Sequence, residues 1–327
     1  MPITLDGTLG VGTPGITLAG GAITADANQL NSSAEDVNSE NRIINGDMNF
    51  WQRATSGTAS GYTAADRWSN AFVGGTVTQA RQAFTIGDSL GVTQPTYFLR
   101  QTVSGQTLAT QNASIRQHIE GVRSYVGQTI TVLGWVKVAS GVANMAVEAI
   151  QNFGTGGSPS ATVTGIDPTT IVLISDWAPF AVVMNIPSIS DKTLGSTGND
   201  HLGIFFWTSA GTDFNARTNS LGLQNISVDL WGVHIRTGTW GEEDAALYRP
   251  RDPGTELALC QRYFQTVQMV VETSALNQSM ALRTRMRANP VLTGGGTGFT
   301  NYQPSSGTIS VHQTTRAQQT ILADAEI

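Results

Sequence analysis

Lysine is almost missing from this chain: Lys137 and Lys192 are the only two in 327 residues. Charged side chains make up 13% of the total, against about 25% in a usual soluble domain. The formal net charge is −6, and the other basic residues are sixteen scattered arginines. A nucleic-acid backbone is held by clustered cations, so nucleic acid is not an expected partner. Cys260 is the single cysteine, which excludes an intrachain disulfide. No run reaches the ~18 apolar residues of a membrane-spanning helix, so membrane insertion is not expected. The opening MPITLDGTLG has neither a basic flank nor an apolar core, so no cleavable secretory signal is expected.

The motifs of common chemistries are missing as well. No GxGxxG lies between a strand and a helix, and no GxxxxGK[ST], HExxH or GxSxG is present. His118, His201, His234 and His312 show no close metal-ligand spacing. Neither a metal site nor a cofactor is expected.

Glycine is plentiful, at 36 residues, and hydrophobic residues make up 40%. That is enough for a real core, with Ser, Thr, Asn and Gln supplying most of the polar surface. Residues 1–40 hold two short strand-formers, Ile3-Thr4-Leu5 and Ile16-Thr17-Leu18, separated by turn signals. Alone they bury little, so this segment is expected to serve attachment or oligomerisation. From 41 to 245 the pattern is β. In QTITVLGWVKV, Ile130, Val132, Gly134, Val136 and Val138 alternate with Thr131, Leu133, Trp135 and Lys137. Ile115, Gln117 and Ile119 alternate with Arg116, His118 and Glu120 in the same way. Further runs bounded by Gly, Asn, Asp, Pro or Ser bring the count to that of a two-sheet sandwich, and a jelly roll fits strand number and length.

One helix is expected in the segment 246–327. Asp252 is placed to cap it and Pro253 takes the first turn. Leu257, Cys260 and Phe264 are expected to line its packed face, widened by Leu259 and Tyr263, which makes Cys260 a small buried side chain. Short strands follow it to the end. The predicted class is therefore all-β: a jelly-roll β-sandwich with a linking helix and a small C-terminal β domain.

Three kinds of residue compete for a functional role. Glu120, Glu148, Asp229 and the run Glu242-Glu243-Asp244 supply carboxylates, and glycoside hydrolysis needs two of them about 5–9 Å apart. Spacing in sequence supplies no such pair, so no catalytic residue is assigned and the protein is not expected to be an enzyme. Asn45, Asp47, Asn49, Arg53, Asp66 and Arg67 surround Phe50, Trp51 and Trp68 in NRIINGDMNFWQRAT and YTAADRW. With a turn at Asn45-Gly46, and Asp66 available to Arg53 and Arg67, this reads as a structural corner. Aromatics near turns are the better lead. Tyr62, Trp177 and Trp240 are the candidates for a glycan platform, although most tryptophans pack into cores.

The string RIINGDMNFWQRAT, YTAADRW, WGVHIRTGTW, ALYRPRDPGTELALCQRYFQ, LRTRMRANPVL and ILADAEI resembles a family of tailed-bacteriophage and prophage structural proteins. Its members are described as tail fibre, tail or spike proteins with a carbohydrate-binding-like jelly roll. The resemblance spans roughly 42–327. It implies a virion or virus-like particle appendage, made in the host cytoplasm and displayed on the particle surface. It further implies a homotrimer, joined to other particle proteins through residues 1–40 and facing bacterial surface glycan. The short N-terminal segment, without a fibre shaft, favours a short spike, a fibre tip or a head or baseplate appendage, and a fibre tip or short spike is the expected role. The alternatives are a head decoration or baseplate protein without ligand, and a glycan-degrading enzyme.

Overall fold

The structure, a computed structural model, describes residues 41–91, 93–271, 276–294, 299–313 and 317–327. The expected attachment segment 1–40 lies outside the described residues.

The expected sandwich is present, as two antiparallel sheets. The six-stranded sheet has the order β1(Ser56–Gly57), β3(Thr76–Ala83), β4(Tyr97–Ser104), β11(Ile226–Thr237), β6(Thr129–Val138), β9(Ala178–Asn185). The five-stranded sheet has the order β2(Ser69–Val73), β5(Asn112–Glu120), β10(His201–Ala210), β7(Ala143–Asn152), β8(Val163–Leu173). Neighbours in space are mostly distant in sequence, as a jelly roll requires. Alternation decides what each strand buries. Ile130, Val132, Val136 and Val138 face Leu202, Ile204, Phe206 and Val147 across the sandwich in one core. Strand β10 is buried at all ten positions, because its outer side also packs, with Phe205 and Trp207 under Phe214 and Leu221.

The linking helix runs from Pro253 to Gln261. Asp252 caps it, accepting from the Gly254 and Thr255 amides at 2.9 and 3.2 Å. Its packed face differs in part from the expected one: Tyr263 and Phe264 are buried as expected, but Leu257 and Leu259 are not fully so. Glu256, Cys260 and Gln261 are buried, Leu257 is half-buried, and Phe264 already belongs to β12(Phe264–Val271). Glu256 can be buried because its carboxylate accepts from the Asn45 amide and from Arg251, the latter at 2.9 Å. Burial pushes the Cys260 thiol well above its usual range, with Asp66 and Glu256 adding to the effect. A carboxylate at that position would sit unpaired beside others. Cys260→Asp is therefore expected to cost on the order of 3 kcal/mol at neutral pH. An unchanged melting temperature would show that this face does not pack.

Beyond the helix, β12 pairs with β17(Ala317–Asp324), which pairs with β14(Val291–Gly294). A second small sheet has the order β13(Leu276–Ala281), β16(Thr308–Gln313), β15(Phe299–Pro304). Val267, Leu282, Met286, Ile309 and Ile321 form their core. Among the described residues no helix is long and apolar enough to cross a membrane.

Candidate functional site

The polar stretch at 45–67 is a corner that ties three parts of the chain together. Asn45 and Met48 adopt left-handed conformations, with φ of 57° and 56°. Gly46 between them is required, since a Cβ there would overlap the Val233 carbonyl oxygen. The Asn45 side chain donates to the Phe50 and Asp66 carbonyls at 2.9 and 3.0 Å, and accepts from the Phe50 amide. Trp68 donates its indole N–H to the Asn45 carbonyl at 2.8 Å.

The expected partner of the two arginines is only partly right. Asp66 accepts mainly from Gln52, through its amide at 3.0 Å and its side chain at 2.7 Å, while Arg53 stands 4.0 Å away. Arg53 pairs instead with Asp324 at 2.9 Å and Glu326 at 3.3 Å, and Arg67 pairs with Glu326. The guanidinium of Arg67 also lies 3.5 Å from the centre of the Tyr263 ring. This corner seats the C-terminal strands on the sandwich.

Tyr62 belongs to the same junction. Its hydroxyl donates to the Ile327 carbonyl at 3.2 Å and lies 3.3 Å from His118 Nδ1. Trp240 is held differently. Its indole donates to the Thr237 carbonyl at 2.6 Å, and the Arg236 guanidinium lies 3.3 Å from its ring centre. Trp177 stacks on Phe84 with ring centres 5.2 Å apart, meets Phe98 edge-on, and remains half-exposed. The three candidates therefore do not share one site.

Trp177 stands beside an open part of the outer face of the six-stranded sheet. Strand pairing sets Arg100 opposite Asp229 and Asp229 opposite Lys137, which makes one charged row across β4, β11 and β6. Arg100 grips both oxygens of the buried Asp229 carboxylate, at 2.6 and 2.7 Å. Lys137 Nζ stands 3.8 Å from Asp229 and 5.2 Å from the Trp177 ring centre. Two positions along, Thr102 and Ser227 are paired by register, and their hydroxyls are 2.8 Å apart and exposed. Thr102 and Ser227 also line a cavity of about 370 Å³ at the end of the sandwich, together with Ser140, Val142, Asn225 and Ile226. The face thus offers an aromatic wall, fixed charges and hydroxyls, and the hydroxyls border a recess at the end of the sandwich.

Of the other carboxylates raised by the sequence, Glu148, Glu120 and Asp244 are engaged in structural contacts, and Glu242 and Glu243 are exposed. Glu148 is fully buried and accepts from the Trp207 indole at 3.1 Å, the Gly165 amide at 2.7 Å and Arg217 Nε at 3.0 Å. Glu120 is gripped by Arg262 at 2.8 Å and by the Tyr263 hydroxyl at 3.0 Å. Asp244 accepts from the Gly241 amide at 2.9 Å and closes a short helical turn. No group of three or more His, Cys, Asp or Glu among the described residues is arranged to hold a metal ion.

No protein-family model matches the chain, and no curated protein sequence matches it. Solved structures do align with it at low similarity. The CBM22-1 xylan-binding domain of Xyn10C from Paenibacillus barcinonensis is 14% identical over 57% of this chain and 94% of that one, with a TM-score of 0.31. The family 11 carbohydrate-binding module from Clostridium thermocellum, solved with a β-1,3-1,4-mixed-linked tetrasaccharide, is 9% identical. It covers 55% of this chain and 94% of that one, with a TM-score of 0.32. The enzymatically active domain of tailspike protein 4 from bacteriophage CBA120 is 12% identical over 61% of this chain but 21% of that one, with a TM-score of 0.34.

Proposed function

We propose that the protein is a non-enzymatic, glycan-binding appendage of a phage or phage-like particle, a fibre tip or short spike. The observation that carries the binding reading is the open strip on the six-stranded sheet. There Trp177 and Phe84 stand beside the Arg100–Asp229–Lys137 row and the Thr102–Ser227 hydroxyls. A sugar presents apolar C–H faces and a rim of hydroxyls, and this strip offers a surface for each. The particle role rests on the sequence resemblance alone. On that reading residues 1–40 attach the protein to the particle and three copies assemble. A shallow site is individually weak, because desolvating hydroxyls offsets much of the contact gain. Three linked copies raise the apparent affinity without a new contact.

The test is an array of bacterial surface polysaccharides probed with the intact protein, followed by titration of the variants Trp177→Ala, Tyr62→Ala and Trp240→Ala. Trp177→Ala is expected to weaken binding about tenfold or more, equivalent to about 1.4 kcal/mol. Tyr62→Ala and Trp240→Ala should leave the affinity within twofold. Retained binding in Trp177→Ala with loss in either of the others moves the site, and an array without any binding defeats the reading.

A further inference from the structure

The charge count on the same strip says which saccharides it takes. Arg100 satisfies both oxygens of Asp229 with a bidentate grip, so that pair is closed and neutral. Lys137 is then left over. Its Nζ is 3.8 Å from Asp229 Oδ2, an ion-pair distance beyond hydrogen-bond reach, and it donates to no group among the described residues. An ammonium carries three donors, and these stand beside Trp177 and Phe98, with ring centres 5.2 and 5.7 Å away. The row Arg100, Asp229, Lys137 therefore bears one uncompensated positive charge. It sits where a ligand lying against the aromatic wall would cover it. The Lys137 side chain is about three-quarters buried, with 24% exposed, and its ammonium stands over the sheet beside the two rings. Elsewhere the chain uses arginine for its internal pairs, and the only other lysine is Lys192.

Resting on the glycan-binding reading above, we infer that this strip selects acidic saccharides, whose oxyanion, a uronate carboxylate or a phosphate, pairs with Lys137 while the sugar ring lies against Trp177. The net charge of −6 does not oppose this. At physiological salt a charge acts over roughly 8 Å, so the group under the ligand outweighs remote ones. Asp176 lies in the exposed turn before Trp177, where water screens its carboxylate. A sugar anion laid over Lys137 excludes that water, and the attraction strengthens as it does so. A compact ammonium suits either oxyanion, so the chemistry of the anion is left to the polysaccharide.

The experiment uses the intact protein and a panel of bacterial surface polysaccharides in three forms: untreated, carboxyl-reduced, and dephosphorylated with hydrofluoric acid. Untreated material is expected to bind at least tenfold tighter than one of the two treated forms, and which one identifies the anion. Raising salt from about 50 to 500 mM should weaken that binding severalfold. Lys137→Met keeps the apolar stem and removes the charge. It should bind all three forms alike, with no salt dependence and an unchanged melting temperature, and Lys137→Arg should restore part of the preference. Equal wild-type binding to all three forms overturns the inference and leaves the glycan reading standing. A preference that survives in Lys137→Met also overturns it. No binding to any form overturns both.

Discussion

Replacing Arg67 with Met is expected to unseat the C-terminal strands and to cost about 3–5 kcal/mol of stability. Arg67 is 1% exposed, and its guanidinium serves three partners at once: the Glu326 carboxylate, the His118 carbonyl and the face of Tyr263. Methionine fills much of the volume and serves only the ring. The Glu326 side chain, 7% exposed, then keeps Arg53 at 3.3 Å as its one remaining cation. The loss is thus mostly the penalty of stranding polar groups. Pairing the change with Glu326→Gln should recover part of it, which a double-mutant cycle measures as a coupling energy. Denaturant titration, with proteolysis between residues 262 and 327 as a local readout, checks the claim. A midpoint equal to wild type would mean that the junction is held by other contacts.

Acid is expected to destabilise the fold. Burial holds His118 down to about 3 and His234 down to about 4, and it also lowers His201, whose ring stacks on His118 at 4.1 Å. The unfolded chain binds these protons near pH 6.5, so it gains protons before the folded chain does. Stability from these groups is full above about 6.5 and is lost as pH falls toward 4. Asp47 works in the opposite sense. Burial first, then the Glu256 charge, raises it from 3.8 to about 6. Its folded form favours the proton, so its contribution is present below about 3.8 and lost as pH rises through 6. Asp47→Asn should therefore be more stable than wild type at pH 7.5, by on the order of 2 kcal/mol, and equal to it near pH 4. It should also show a steeper rise between those limits. Unfolding midpoints of both proteins at pH 4.5, 6 and 7.5 suffice. A variant no more stable than wild type at pH 7.5 would mean that Asp47 is well solvated or paired.

Much of this architecture was legible because the controlling pattern is local. Period-two alternation in 128–138 predicts which side chains enter the core, and Asp252-Pro253 predicts the helix start. The corner at 45–67 was readable because Asn45-Gly46 requires a turn, and side chains of that type satisfy backbone groups nearby. What failed depended on remote partners. Arg67 meets Glu326 at a separation of 259 residues, and Arg53 meets Asp324 at 271, whereas Asp66 was merely close in sequence. Leu257 looked more apolar than Glu256, yet the Asn45 amide and Arg251 make Glu256 the side chain that enters. The Arg100–Asp229–Lys137 row needs β4, β11 and β6 to be neighbours, and no run in the chain announces that order. Tyr62 likewise meets the Ile327 carbonyl at a separation of 265 residues, whereas Trp240 meets the Thr237 carbonyl only three residues away.

On the proposed reading, glycan lies on the outer face of the six-stranded sheet beside Trp177. The seven tryptophans make it directly measurable, because their indole N–H signals report from different parts of the fold. Trp68 lies in the corner, Trp207 on the five-stranded sheet, Trp240 over Arg236, and Trp177 on the proposed strip. An NMR titration of indole-labelled protein with a polysaccharide from the array should move Trp177, leaving Trp68, Trp207 and Trp240 in place. A bound state in which Trp177 does not move, while Trp207 or Trp240 does, would contradict the account.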